Sequence, residues 1–100
     1  MSDTELATRT KNKLKPPSQY KVVLLNDDYT AMDFVVAVLV QIFNKSIEES
    51  NAIMIHIHMT GRGVAGVYSL EIAKQKQDET HLAAKRYGYP LKSILEETIQ

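Results

Sequence analysis

The sequence contains no cysteine, and this absence removes several classes of site. A disulfide framework, a thiolate metal site and a thiol nucleophile are all excluded. An excess of charge of one sign is also lacking, because twelve Lys and Arg residues balance twelve Asp and Glu residues. Such a chain has no basic field for nucleic acid phosphates. No apolar run reaches the roughly 20 residues that span a bilayer, and the polar N-terminus does not resemble a signal peptide. We therefore expect neither nucleic acid nor a membrane as a partner.

The length and the 44% apolar content are typical of a single globular domain. Residues 1–17 differ from the rest because they are polar, mixed in charge and without a hydrophobic period. They end in Pro16-Pro17, a pair that favours an extended spacer. We predict a flexible N-terminal tail over residues 1–17 and a core domain over residues 18–100.

Hydrophobic periodicity predicts the element order β-α-α-β-α-β. A β-rich run over residues 20–25 gives the first strand. Thr30 with Asp33 resembles a capping box at the start of a helix over residues 30–44. A strand is the competing interpretation of that segment, because its valines have poor helix propensity. The length of the segment and its cap favour the helix.

The later elements are bounded by recognisable signals. Ser46 and Glu49 form a second capping-box pattern, and Gly88 is a helix stop. The predicted elements are a helix over 47–57, a strand over 64–68, a helix of about 18 residues after Ser69, and a strand over 91–96.

Two of the helices have informative faces. The apolar arc of the first helix is wider than the stripe of an ordinary surface helix, so a second helix, a ligand or a partner must cover part of it. The residues that widen this arc are Phe34, Val38 and Ile42. On the third helix, the stripe expected to face the sheet consists of Ile72, Ala73, Thr80, Ala83, Ala84 and Tyr87.

The segment over residues 53–59 alternates perfectly between two classes of side chain and could be a strand instead of a helix. A strand would place His56 and His58 on one face, where they could bind a metal, whereas a helix separates them by about 160°. The capping box at Ser46 favours the helix, and no Cys/His pattern supplies further ligands. We therefore predict no metal site.

Hydrogen-bond acceptors cluster at the junction between the first strand and the first helix, at Asn26, Asp27, Asp28 and Thr30. The sequence has no Gly-x-Ser-x-Gly elbow and no phosphate-binding loop, so we predict no catalytic site. Apolar side chains from both neighbouring helices could converge beside the acceptors. Such an arrangement is typical of an apolar pocket with a polar rim that binds an amine.

These residues resemble a known family. The motif that carries the resemblance is Lys15-Pro16-Pro17-Ser18-x-Tyr20-Lys21-Val22-Val23-Leu24-Leu25-Asn26-Asp27-Asp28-Tyr29-Thr30-x-Met32-x-Phe34-Val35, with Met54, His58, Gly66-Val67-Tyr68 and Pro90-Leu91 at matching intervals. It is similar to ClpS, the N-end rule adaptor family of Clp proteases. The resemblance implies an α+β fold in two layers, with three helices packed on a three-stranded, mainly antiparallel sheet. This fold is similar to the C-terminal domain of the ribosomal stalk protein.

The resemblance also implies a function for most of these residues. The family binds proteins that carry a free N-terminal Phe, Tyr, Trp or Leu and delivers them to a Clp AAA+ unfoldase. The implied amine and backbone ligands are Asn26, Asp27, Asp28, Thr30 and His58, with Asp28 shaping the turn. The implied hydrophobic pocket consists of Met32, Val35, Met54, Ile57 and Leu91, with Met32 as a gate.

Docking to the N-domain of a ClpA-like or ClpC-like unfoldase is implied for Glu71 and Lys76 on the third helix. The resemblance implies no enzymatic activity, and we expect no cofactor and a location in the bacterial cytoplasm or an organelle stroma. Ala31 departs from the family pattern, in which Pro is common after the Thr. The alternative hypothesis is a non-enzymatic interaction domain that dimerises or docks a partner helix through its apolar face.

Overall fold

The computed structural model describes residues 17–98, so the predicted tail lies outside the described residues except for Pro17. Six elements follow one another in the predicted order, which is confirmed. They are β1 (Gln19–Leu25), α1 (Met32–Gln41), α2 (Ile47–Thr60), β2 (Arg62–Tyr68), α3 (Leu70–Tyr87) and β3 (Lys92–Thr98).

The three strands form one antiparallel sheet in the order β2-β1-β3. The central strand β1 is apolar because it is covered on both faces. Val22 and Leu24 point into the core between the sheet and the helices. The predicted two-layer α+β fold is confirmed.

An ion pair lies on the outer face of the sheet, near Val23. Val23 lies there, between Val64 on β2 and Ile94 on β3, yet its exposed fraction is 0%. Arg62 is opposite Leu25 and pairs with Glu96, which is opposite Lys21. The ion pair must therefore cross the sheet at Val23, where the aliphatic stem of the arginine can shield the valine from water.

The predicted helix at α1 is confirmed, but its predicted start and end are wrong. Its N-cap is Ala31, whose side chain has no acceptor, and Thr30 lies one residue before the helix within the turn formed by Asp27. The predicted capping box of Thr30 with Asp33 therefore does not form. The helix ends at Gln41, and Asn44 takes a left-handed conformation with a φ of 56°.

The predicted capping box at α2 is confirmed. Ser46 Oγ accepts a hydrogen bond of 3.0 Å from the Glu49 backbone N–H, and Glu49 reaches back to the Ser46 backbone. The helix continues past the predicted end to Thr60 and stops at Gly61, whose φ of 94° suits glycine. Because the segment is helical, His56 and His58 do not share a face.

Helix α3 has the predicted length of 18 residues, and Gly88 occupies its C-cap as predicted. Ser69 occupies the N-cap, although its side chain makes no capping hydrogen bond. Within the predicted inward stripe, small residues are buried and bring the helix close to the sheet; they are Ala73, Thr80 and Ala84, with Ala83 half-buried.

For two residues of that stripe, the prediction that they face the sheet is wrong. Ile72 is exposed, because it lies about 100° around the helix from the buried Ala73. Tyr87 is the last residue of the helix, and its ring contacts Phe34 at a centroid distance of 5.5 Å while remaining mostly exposed.

Strand β3 is an edge strand, and α3 protects part of its edge. His81 Nε2 accepts a 2.9 Å hydrogen bond from the Ser93 backbone N–H, and Gln77 donates to the Ser93 carbonyl at 2.8 Å. These side chains satisfy the Ser93 backbone N–H and carbonyl, which a fourth strand would otherwise pair with. They also fix the start of β3, just after the buried Leu91.

Candidate functional site

The loop between β1 and α1 is organised by one carboxylate. Asp27 Oδ1 accepts hydrogen bonds from the backbone N–H groups of Tyr29 at 2.8 Å and Thr30 at 2.7 Å. Its Oδ2 accepts the Thr30 hydroxyl at 2.7 Å. Asp27 therefore shapes this turn, and the prediction that Asp28 does so is wrong. The reason is geometric, since an Asx side chain reaches the backbone two and three residues ahead.

The pKa of Asp27 reflects two opposing effects. Partial burial alone would raise it, but the hydrogen bonds from Thr30 and Tyr29 favour the ionised form and together lower the pKa below its ordinary value of 3.8. Because the folded pKa is depressed, the ionised carboxylate stabilises the turn at any pH above 3.8 and this contribution is lost as the pH falls further. At neutral pH the loop therefore carries a fixed negative charge.

A backbone hydrogen bond ties this loop to the end of α2. The Asn26 N–H donates to the Gly61 carbonyl at 2.9 Å. Gly61 directly follows the helix that carries His58, so the bond holds the two sides of the site together. The continuous β1–β2 pairing, with Leu25 opposite Arg62, brings the chain ends into position for it.

A cavity of about 220 Å³ lies between the loop, α1, α2 and the start of β3. All five predicted acceptors and all five predicted apolar wall residues line it. The lining consists of Leu25, Asn26, Asp27, Asp28, Thr30, Met32, Val35, Met54, Ile57, His58 and Leu91. Leu25 is the lining residue that the sequence analysis missed, although it is the last apolar residue before the acceptors.

The cavity has a buried floor and an exposed mouth. Ile57, Val35 and Leu91 are buried, whereas Met32 is 46% exposed at the first turn of α1. His58 and Asn26 are also exposed, so polar groups are available at the rim. The cavity can accept one apolar side chain while its rim binds a positively charged or hydrogen-bond-donating group.

A second concavity of about 380 Å³ adjoins the first and shares part of its lining. Both are lined by the segment from Leu25 to Asp28, and the second adds Tyr29, Pro90 and Lys92. A chain bound in the first cavity can therefore continue along a formed surface.

The two residues predicted to dock a partner lie away from the cavity. Glu71 is exposed in the first turn of α3. Lys76 is half-buried, and its Nζ donates a 2.8 Å hydrogen bond to the Ile42 carbonyl at the end of α1. Lys76 thus has a structural contact within the domain.

Other site types have little support between residues 17 and 98. In that part of the chain, no three His, Cys, Asp or Glu side chains are grouped so that they could hold a metal ion. His56 does not line the cavity. Among the described helices, none combines the length and the apolar character that crossing a membrane requires.

Comparison with known proteins gives consistent matches. The family model "ATP-dependent Clp protease adaptor protein ClpS" matches residues 15–94. ClpS adapter proteins from Burkholderia mallei (strain SAVP1) and Paraburkholderia xenovorans (strain LB400) are 47% and 46% identical over 95 residues, which cover 95% of this chain and 91% of theirs.

A solved structure is also similar to the whole described fold. It is Agrobacterium tumefaciens ClpS2 bound to L-phenylalaninamide, with a TM-score of 0.80 and 37% sequence identity. The match covers 83% of this chain and all of the ClpS2 chain. With a family model that matches most of its length and relatives of this identity, the chain belongs to the ClpS family of adaptor proteins of the ATP-dependent Clp protease.

Proposed function

We propose that this adaptor binds the free N-terminus of proteins whose first residue is Phe, Tyr, Trp or Leu and delivers them to a Clp AAA+ unfoldase. The observation that carries the proposal is the composition of the cavity, in which an apolar floor adjoins a rim of acceptors that includes an ionised carboxylate. The ClpS2 relative, whose ligand is phenylalanine amide, supports the same choice of ligand.

The rim accounts for recognition of the α-amine. At neutral pH a free N-terminus is mostly an ammonium group with three N–H donors. Asn26 Oδ1, the Asp27 carboxylate and neutral His58 are the proposed acceptors, and Asp28 adds negative potential beside them. Thr30 is the proposed contact for the second residue, although its hydroxyl proton already bonds to Asp27, so Thr30 Oγ1 acts there as an acceptor.

The floor accounts for selection of the first side chain. A volume of about 220 Å³ is below the roughly 300 Å³ at the low end of pockets for drug-sized ligands. It suits a single amino-acid side chain, and burying an aromatic ring there contributes roughly 2–3 kcal/mol. We infer that Met32, which is 46% exposed at the mouth, excludes side chains that branch at Cβ, because these are bulky next to the peptide backbone.

Delivery requires a second surface. We infer that Glu71 and Lys76 on α3 contact the N-domain of a ClpA-like or ClpC-like unfoldase, with the N-terminal tail contributing to delivery. Glu71 is the more accessible of the two residues, because Lys76 is already bonded to Ile42. We further infer that the adaptor has no enzymatic activity of its own and acts in the bacterial cytoplasm or an organelle stroma.

Peptide binding tests the proposal directly. A ten-residue peptide with a free N-terminal Phe and a C-terminal fluorophore should bind at micromolar affinity or better, as measured by fluorescence anisotropy. Its acetylated form loses the charge and two donors, and should bind about 100-fold more weakly.

A third peptide with N-terminal Ala separates the two parts of the site. It keeps the amine but leaves the cavity empty, so it should also bind weakly. Equal affinity for the free and acetylated Phe peptides would overturn amine recognition, and equal affinity for the Phe and Ala peptides would overturn the role of the cavity.

A further inference from the structure

Gly63 is a glycine that the local backbone does not require. It lies in β2, opposite Leu24 of the central strand, and it is buried. Its φ is not in the left-handed region, in contrast to Gly61 and Gly88. An alanine could adopt this backbone conformation, so the reason for glycine must be the space around it.

Two side chains of α2 border that space: His56, whose Cδ2 would lie at an ordinary contact distance of 3.5 Å from an added Cβ, and Ile57 of the cavity wall, which lies much closer. A Cβ added to Gly63 would lie 2.7 Å from Ile57 Cγ1 and 3.5 Å from Ile57 Cδ1. Carbon atoms in ordinary contact are about 3.5–4.0 Å apart. The Cγ1–Cδ1 arm of Ile57 therefore lies where the first side-chain atom of any other residue at position 63 would be.

Ile57 separates Gly63 from the cavity. Ile57 lines the cavity and is 3% exposed, whereas Gly63 is not part of the lining. Because the Ile57 side chain borders both Gly63 and the cavity, a displacement of it away from Gly63 moves a wall of the cavity, and we expect this to reduce the volume available to a ligand.

The strand cannot easily move instead. Residues 62, 63 and 64 are paired with the central strand β1, and the Asn26–Gly61 hydrogen bond fixes the chain just before them. Cγ1 is one bond from Cβ, so it can retreat only by a change of χ1 or a shift of α2. An isoleucine in a helix has one strongly preferred χ1. Either response moves the wall of the cavity.

We propose that Gly63 is a positioning residue that sets the size of the cavity, because its missing side chain lets Ile57 lie back against β2. The inference rests on the proposed binding of N-terminal residues and adds what determines the largest side chain accepted. Larger side chains at Gly63 should shift the preference from Trp toward Leu. One methylene in an apolar pocket changes discrimination by about 10–200-fold, which sets the expected scale.

The test is a double-mutant cycle read out with three peptides that differ only in a free N-terminal Leu, Phe or Trp. In Gly63→Ala we expect affinity for the Trp peptide to fall about tenfold or more, with Phe intermediate and Leu changed by less than about threefold. Ile57→Ala removes the arm that transmits the effect. In that background, adding Gly63→Ala should leave the Trp-to-Leu affinity ratio unchanged.

Each outcome decides the question. A uniform loss for all three peptides, or an unchanged ratio, would overturn the role of Gly63. So would a Gly63→Ala effect that persists without the Ile57 side chain. If Gly63→Ala alone unfolds, as judged by circular dichroism, the double variant should regain the fold, and its failure to do so contradicts the proposed contact. Failure of the unmodified protein to bind any free peptide would instead reject the proposed function itself.

Discussion

Asp27 has two separable tasks in the proposed site. Its carboxylate oxygens accept three hydrogen bonds from Tyr29 and Thr30, and these bonds form the turn. Its negative charge is the part available to an ammonium group. A carboxamide could keep the first task, because its oxygen can accept the two backbone N–H groups and its NH₂ group can donate to Thr30 Oγ1.

The Asp27→Asn variant should therefore keep the turn but bind the N-terminal amine more weakly. We expect the affinity for a free N-terminal Phe peptide to fall about 10- to 100-fold, since a hydrogen bond to a charged group is worth about 1.5–3 kcal/mol. The thermal unfolding midpoint should stay close to that of the unmodified protein. Asp27→Ala removes both tasks and should lower affinity and stability together.

A matched control is available in the next helix. Asp33→Asn removes the same charge from an exposed position that does not line the cavity. Peptide affinity should be nearly unchanged in this variant. A similar loss of affinity in both Asn variants would mean that general negative potential, and not the Asp27 carboxylate, attracts the amine.

At the scale of the elements, α1 depends on α3 for its C-terminal cap. The last turn of α1 contains no basic residue. Lys76 of α3 supplies one, because its ammonium group donates to the Ile42 carbonyl at 2.8 Å. A cation at this end of a helix interacts favourably with the helix dipole and satisfies a carbonyl that lacks a partner within the helix.

Lys76→Met should accordingly destabilise the domain by about 1–2 kcal/mol while keeping the aliphatic part of the side chain. For a domain of this size that corresponds to a decrease in melting temperature of roughly 4–15 °C. Urea unfolding measures the free energy, and the slope should not change.

Glu71→Gln is the comparison that separates docking from stability. Glu71 is exposed on the same helix, so its substitution should leave the unfolding free energy within about 0.5 kcal/mol. If both residues contact the unfoldase, both variants should slow degradation of a substrate by the assembled protease. Unchanged stability of Lys76→Met would show that the Lys76–Ile42 bond contributes nothing measurable.

The elements themselves could be predicted because each carries its own local signal. The Ser46–Glu49 pair and Gly88 are such signals, and both stand at helix ends in the structure. The predicted start of α1 was wrong because the hydrogen bonds to Asp27 hold Thr30 in the turn before the helix, so that Ala31 occupies the N-cap. Local patterns identify possible partners but do not decide between them.

At the scale of the whole molecule, the residues of the candidate site were largely predictable, whereas the contacts that position them were not. The acceptors and wall residues were found through the family motif, and the fold brings them to one cavity. The contacts that position them join residues far apart in sequence, such as Lys76 with Ile42. The approach of Ile57 to Gly63 depends on how α2 packs against β2, which no local pattern contains.

The complete fold also shows which residues pack against the wide apolar arc of α1. Val38 is buried in the core, and Ile42 is partly buried against it. Phe34 packs against the rings of Tyr87 and Tyr89, at centroid distances of 5.5 and 4.8 Å. The end of α3 and the loop after it thus cover much of the surface that the alternative hypothesis assigned to a dimer.

We therefore expect the protein to be a monomer. Size-exclusion chromatography with light scattering should give a mass near 11.3 kDa across the micromolar range. A stable dimer needs a contiguous interface that buries about 1,000 Å² or more, and the rings of Tyr87 and Tyr89 occupy part of the apolar arc of α1 that such an interface would use. A mass of twice the monomer value would favour the dimer hypothesis. If α1 forms the interface of such a dimer, Tyr87→Glu should dissociate it, because the substitution replaces the exposed ring beside Phe34 with a charged side chain.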